Sequence, residues 1–273
     1  MRCGDMMNYI KSELYRIMHS KGIYLLTGIC TALLLSMNIM LGYFKGVEHF
    51  SYATTEFVFR MVWSALNVVF FLTLCMGGIV FAEEYKNKTI ANSVAFGYSR
   101  ISLYFGKLLT GLIVSVGALA VVLAVFIGSA YLLLENSGID VLITLLKGIG
   151  ASVPILVAGE AAALTLLFLV GSSSGAIWSW MGIMIGVPII SELLGMKFDF
   201  FRKLSGWLAY EVLQNGQQLI MVESETEAGM SVEPQIVLTW MTQAGLTRML
   251  LVGVIGTAVF VIWGIAGLRR REI

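Results

Sequence analysis

The stretch LLTGLIVSVGALAVVLAVFIGSAYLLL, Leu108–Leu134, contains no Asp, Glu, Lys, Arg or His. Wound as an α-helix, it exceeds the roughly 30 Å hydrocarbon core of a bilayer, which about 20 apolar residues suffice to cross. Reading this run as a membrane span decides the class of the whole chain, because five further runs resemble it. Ile23–Phe44, Met61–Ala82 and Met249–Leu268 also lack Asp, Glu, Lys and Arg. Gly148–Val170 carries one charge, Glu160, and Ala176–Gly195 carries one, Glu192, near its end. The composition agrees: 58% of the 273 residues are hydrophobic and 13% charged. Soluble domains average about 45–50% and about 25%. The fold expected is an all-α integral membrane protein of six transmembrane helices, at about 23–44, 61–82, 108–134, 148–170, 176–195 and 249–268.

Charge placement orients the chain. An even number of spans puts both termini on one side, and Lys and Arg gather on the cytoplasmic side. Arg2, Lys11, Arg16 and Lys21 precede the first run, Lys86, Lys88, Arg100 and Lys107 lie between the second and third, and Arg269, Arg270 and Arg271 follow the last. Lys45, Arg60, Lys147, Lys197, Arg202, Lys203 and Arg248 fall on longer opposite stretches or at span ends. Both termini are therefore expected in the cytoplasm. The chain reads as one transmembrane domain, 1–273. Residues 1–22 precede the first span, 45–60 and 135–147 are external connections, and Gly-Ser-Ser-Ser-Gly at 171–175 is a tight inner turn. Residues 196–247 form one large external segment. There, Phe198–Phe201 and Trp207–Leu213 suggest short helices at the outer leaflet, and Glu223, Glu225, Glu227 and Glu233 an exposed tip. The first run starts after Asp5 and Glu13 and is longer than a signal-peptide core, so it is expected to be retained.

Three features carry functional content. In MMNYIKSELYRIMHSK, Met6, Ile10, Leu14 and Ile17 recur at helical spacing, with Lys11 and Arg16 largely on another face. That pattern suits an interfacial helix with its bases near anionic lipid. The second feature is the polar stretch FAEEYKNKTIANSVAFGYSRISLYFGKLL, residues 81–109, which reads as a short helix, a break at Gly97 and a second helix capped by Ser99. The third is Glu160, in the middle of a span. A charge there costs on the order of 3 kcal/mol and must face protein or water. It is either a polar contact in a translocation path or gate, or a protonated or hydrogen-bonded structural glutamate, paired with a hydroxyl or Asn67 on a neighbouring span. Pro154 and Pro188 are expected to kink their helices, and Gly182–Gly186 has the spacing of a close-packing motif. Cys3, Cys30 and Cys75 and the two histidines have no metal-site spacing.

The order Glu-Tyr-Lys-Asn-Lys-Thr-Ile, Gly-Tyr-Ser-Arg, Tyr-Phe-Gly-Lys-Leu-Leu within 84–109 resembles the segment after the second span of type-2 ABC exporter permeases. Lys-Ser-Glu-Leu-Tyr-Arg at 11–16 resembles the interfacial opening of the same family, in which glycine often stands where this chain has Lys88. The resemblance implies that 83–107 is a coupling segment, its first helix docking on a separate ATP-binding subunit through Glu83, Glu84, Tyr85, Lys88 and Thr89. Arg100 would fix the return helix at the interface. It further implies a pair of permeases, as homodimer or heterodimer, around a path for an exported amphipathic substrate such as a peptide or antibiotic. Location in the bacterial cytoplasmic membrane follows. No G-x-x-x-x-G-K-[ST] phosphate loop occurs in the chain, and Leu108 follows Gly106-Lys107 where Ser or Thr is needed. ATP and magnesium are accordingly expected on the partner, with no cofactor, metal or catalytic group on this chain and no nucleic acid as partner. A scaffold or sensor that recruits a cytoplasmic protein, and an ATP-independent channel or carrier, are the alternative readings.

Overall fold

The computed structural model describes residues 3–48, 50–64, 66, 72–73, 75–79, 99–170, 172–226 and 229–270. Helix α1 is Cys3–Met18, α2 Lys21–Tyr43 and α3 Thr55–Ser64. The long helices α4, Arg100–Leu133, and α5, Ile139–Val170, follow. Next come α6, Ser173–Met181, a π-helical turn at Gly182–Gly186, and α7, Val187–Gly195. Helices α8, Asp199–Ser205, and α9, Ala209–Gln214, lead to strands β1, Gln217–Thr226, and β2, Gly229–Leu238. A 3₁₀ turn at Thr239–Met241 leads to α10, Gln243–Arg270.

Among the described residues five helices are long and apolar enough to cross a membrane: α2, α4, α5, the run Ser174–Gly195, and α10. The expected span at 61–82 is helical in Thr55–Ser64 and at 66, 72–73 and 75–79, and its remaining residues lie outside the described ones. Large apolar side chains such as Leu25, Leu33, Leu132 and Ile262 stand more than half exposed, a surface suited to hydrocarbon.

Helix α5 is the hub. In its apolar window 67% is buried, against 11% for α2 and 17% for α10. Ala161, Ala162 and Ala163 are fully enclosed, and small residues let neighbouring backbones come close. Gly256 of α10 rests against Ala158, and Gly77 against Ala163. Gly253 lies directly on the backbone and ring of Pro154, the proline inside α5. Thus the residue that interrupts the hydrogen-bond ladder of α5 also forms its seam with α10. At the other edge Asn38 ties α2 to α4, its Nδ2 donating to the Phe126 carbonyl at 3.0 Å and to Ser129 Oγ at 2.7 Å.

Several sequence expectations need adjustment. The connection expected at 135–147 shrinks, because α5 already begins at Ile139 with Asp140 in its first turn, where an acid suits the helix dipole. Gly138, at φ +102, makes the turn, and its N–H donates to Asn136 Oδ1. That loop is tied to the α2–α3 connection through Thr55 N–H to Glu135 O and Glu135 N–H to Ala53 O, both 2.9 Å. Gly182 and Gly186 form a π turn, and among the described residues neither has a side chain packed on it. Helices α8 and α9 match the short helices expected in 196–247, but 217–238 forms an antiparallel hairpin from Gln217↔Leu238 to Thr226↔Gly229. The fold is therefore all-α in its membrane part only. Short apolar runs such as Leu219–Val222 suit either state, so periodicity alone does not separate strand from helix there.

The α5–α10 seam yields a test. Gly253→Ala should destabilise the reconstituted protein by about 1–3 kcal/mol, the usual cost of overpacking. Gly128→Ala, with nothing within 4 Å, should leave thermal unfolding unchanged or slightly raise its midpoint.

Candidate functional site

One end of the bundle gathers α1, the start of α4 and the end of α10. The apolar stripe of α1 turns inward, with Tyr9, Ile10 and Ile17 buried, while Lys11 stays exposed. Lys107 of α4 is 2% exposed. Its Nζ lies 3.4 Å from Glu13 Oε2 and 5.9 Å from the Tyr9 ring centroid, and Glu13 also accepts from Arg16 at 2.8 Å. Gly106 allows the approach, since a Cβ there would sit 2.7 Å from the Tyr9 ring. The interfacial helix is therefore pinned to α4 by a buried ion pair as well as by apolar contact.

Ser99 caps α4, its Oγ accepting from Ser102 N–H. Arg100 Nη1 donates to the Leu268 carbonyl of α10 at 2.8 Å. One turn further, Tyr104 Oη meets Thr165 Oγ1 at 2.9 Å, and Thr165 Oγ1 donates to the Phe260 carbonyl at 2.8 Å. Gly264 makes room, because a Cβ there would be 2.6 Å from the Tyr104 ring and 2.7 Å from Thr165 Oγ1. This buried relay joins α4, α5 and α10.

Tyr104, Gly111 and Ser115 project from one face of α4, given 100° per residue. Glu160 of α5 sits opposite them, 3% exposed. Its Oε1 lies against Gly111, where a Cβ would be 2.6 Å away, and Ser115 Oγ donates to Oε2 at 3.4 Å. Beside this carboxyl lies a cavity of about 260 Å³, bounded by α2, the second span, α4 and α5. Its walls are apolar, for example Leu33, Met76, Leu119 and Leu156, with Thr27, Thr73, Ser115 and Glu160 as polar groups.

The opposite end carries a second pocket of about 240 Å³ between α3, α5 and the base of the hairpin. Trp63 and Trp240 form part of its wall with ring centroids 5.1 Å apart. Arg60 is clamped by Glu56, with Nη2 to Oε1 at 2.7 Å and Nε to Oε1 at 3.0 Å, and Asp140 stands on the rim. Nearby, burial raises the pKa of Glu211, the charge of Glu192 raises it further, and a hydrogen bond from Asn215 opposes both.

Of the residues singled out from the sequence, Arg100 and Glu160 are placed within these contacts. Glu83, Glu84, Tyr85, Lys88, Thr89 and Asn67 lie outside the described residues. Glu160 has a hydroxyl, that of Ser115, as partner. The sequence reading overlooked Gly111, Ser115 and the Tyr104–Thr165 pair. Their signal was the small or polar stripe at 104, 111 and 115 on an otherwise aliphatic helix. Lys107 was counted only as a topology charge, since burial is invisible until α1 docks.

The ion pair is testable. Lys107→Met should leave Glu13 with Arg16 and loosen α1, by less than the roughly 3–5 kcal/mol of a fully stranded buried charge. Adding Glu13→Gln should recover most of that loss. Limited proteolysis between α1 and α2 reads both effects.

A sequence model described as ABC-2 family transporter protein matches residues 9–187, from α1 to the start of α7. No curated protein matches the chain significantly. The match takes in the α1–α4 junction, the Glu160 cavity and the polar stretch before α4, and the chain belongs to the ABC-2 transporter family as a type-2 ABC permease, a multi-pass membrane protein.

Proposed function

We propose that this permease is the membrane-spanning subunit of an ATP-driven exporter in the bacterial cytoplasmic membrane, with both termini in the cytoplasm. Permeases of this family normally work with ATP-binding subunits. Two copies, or this chain and a paralogue, pair around the path, and the substrate is amphipathic, a peptide or an antibiotic. ATP and magnesium belong to the partner, and the coupling segment at 83–107 docks on it through Glu83, Glu84, Tyr85, Lys88 and Thr89.

One observation carries the reading. The helix that emerges from the coupling segment, α4, is the helix whose face holds Glu160 at the cavity. A push on the segment acts first at Ser99 and Arg100, where α4 is bonded to Leu268 of α10. The Tyr104–Thr165–Phe260 relay then compels α5 and α10 to respond. Gly111 and Ser115, two and three turns further along α4, rest on the carboxyl of Glu160. Movement of α4 therefore alters the cavity without needing a flexible joint. A domain that hydrolyses ATP in water can move membrane helices only through a stiff element rooted in a span, and α4 is continuous from Arg100 to Leu133.

The test begins with co-purification of the chain with a cognate ATP-binding protein and measurement of its ATP turnover. The pair of reversals Glu84→Lys and Lys88→Glu should lower complex formation and uncouple turnover; unchanged values for both would remove the docking assignment. Glu160→Gln should leave assembly intact and cut export at least tenfold. Export at the wild-type rate would make Glu160 structural.

A further inference from the structure

We infer that the Glu160 cavity is a binding site for a small hydrophobic cation, an alkyl or arylalkyl ammonium, free or as the cationic group of a larger amphiphile. The inference rests on the export reading and names the chemical class that its path accepts. The cavity is about 260 Å³, just below the roughly 300–1,000 Å³ of sites that enclose a whole drug-sized ligand. A six- to eight-carbon chain with one polar head, or a single such arm of something larger, matches that space.

The walls prescribe the body of the ligand. Apart from Glu160, the described residues of the walls offer aliphatic side chains, the thioether of Met76, the thiol of Cys30 and the hydroxyls of Thr27, Thr73 and Ser115. Leu33 and Val116 line the cavity while 65% and 61% exposed, so it opens sideways on the apolar surface of the bundle. A ligand that partitions into the bilayer with its alkyl body in the hydrocarbon can therefore reach it from the side.

Glu160 prescribes the head. It is the one ionisable carboxyl lining the cavity among the described residues. Its Oε2 has only the long contact to Ser115 Oγ at 3.4 Å, and its Oε1 faces the bare backbone of Gly111 with no donor among the described residues. A plain hydrocarbon tail would fill the volume and leave this acceptor unsatisfied, the costly outcome for a buried polar group. An ammonium brings both donors and the opposite charge, and charge-assisted hydrogen bonds are the strongest kind available in such a site. An anionic amphiphile would set two like charges together in low dielectric. Gly111 sets where the carboxyl points, since any larger residue would displace it.

Hexylammonium, hexanol and hexanoate distinguish the possibilities, using the full-length chain in nanodiscs of zwitterionic lipid without ATP or partner. Cys30 lines the cavity, so its N-ethylmaleimide labelling, read by peptide mass spectrometry against the protein without probe, reports occupancy. Hexylammonium is expected to slow Cys30 labelling at least threefold, hexanol and hexanoate much less. Glu160→Gln and Gly111→Ala should each abolish the preference for the amine. A thermal melt with the same three probes gives a second readout, in which only the amine should raise the midpoint. Equal protection by hexanol and hexylammonium would mean a site for a lipid tail and would overturn the proposal. So would protection by none of the three together with no shift in the melt, or an amine preference that survives both substitutions. Because the assay needs no motor, a failure of export leaves its result standing, and the reverse also holds.

Discussion

Hydrocarbon offers a peptide group no hydrogen-bond partner, so every backbone N–H and C=O inside the bilayer must be satisfied by the chain itself. This constraint produces the long unbroken helices. It also shifts the source of specificity, because apolar side chains gain little by leaving lipid for one another. Close backbone approach and buried polar contacts then decide which helices pair. In this chain they concentrate on α5: the alanine cluster 161–163, the Gly253–Pro154 seam, Thr165 and Glu160. The hairpin and the short helices α8 and α9 lie in the segment between the last two long apolar helices.

The buried polar groups form two kinds of joint. Asn38 with Ser129, and Tyr104 with Thr165 and the Phe260 carbonyl, hold helices in register through neutral hydrogen bonds. Lys107 with Glu13 is ionic and costs more to assemble, so its value lies in fixing where α1 docks rather than in net stability. Glu160 belongs to neither kind. Among the described residues its contacts are the Ser115 hydroxyl and the backbone of Gly111, and it borders a cavity. Lys107, equally buried, is by contrast enclosed by a carboxylate and an aromatic ring.

Helix α4 connects these features. Arg100, Tyr104, Lys107, Gly111 and Ser115 follow one another over its first five turns and touch α10, α5, α1 and Glu160. The first part of α4 is thus bonded to several helices on the way to the cavity. The family match, which ends at residue 187, covers all of α4 and α5 but leaves out the hairpin segment. That segment reaches back to the bundle through Trp240, whose ring meets Trp63 near Gly148 and Gly216. Those two glycines leave space for the indole.

Much of this was legible in the sequence. Apolar run length sets membrane spans because the bilayer thickness is fixed, so α2, α4, α5 and α10 stand where the runs are. Ser99 as a cap and Glu160 as the exceptional charge were also readable, since both are local statements about one residue in its own element. Tertiary structure alone decided the rest. Which helix is central depends on small residues meeting partners from distant segments, such as Gly253 and Pro154. The burial of Lys107 depends on α1 folding over it, and the start of α5 at Ile139 depends on a loop pinned to Ala53 and Thr55. The hairpin at 217–238 needed two segments to find each other as strands. A sequence records what each residue prefers by itself; proximity between distant residues arises only when the chain has packed.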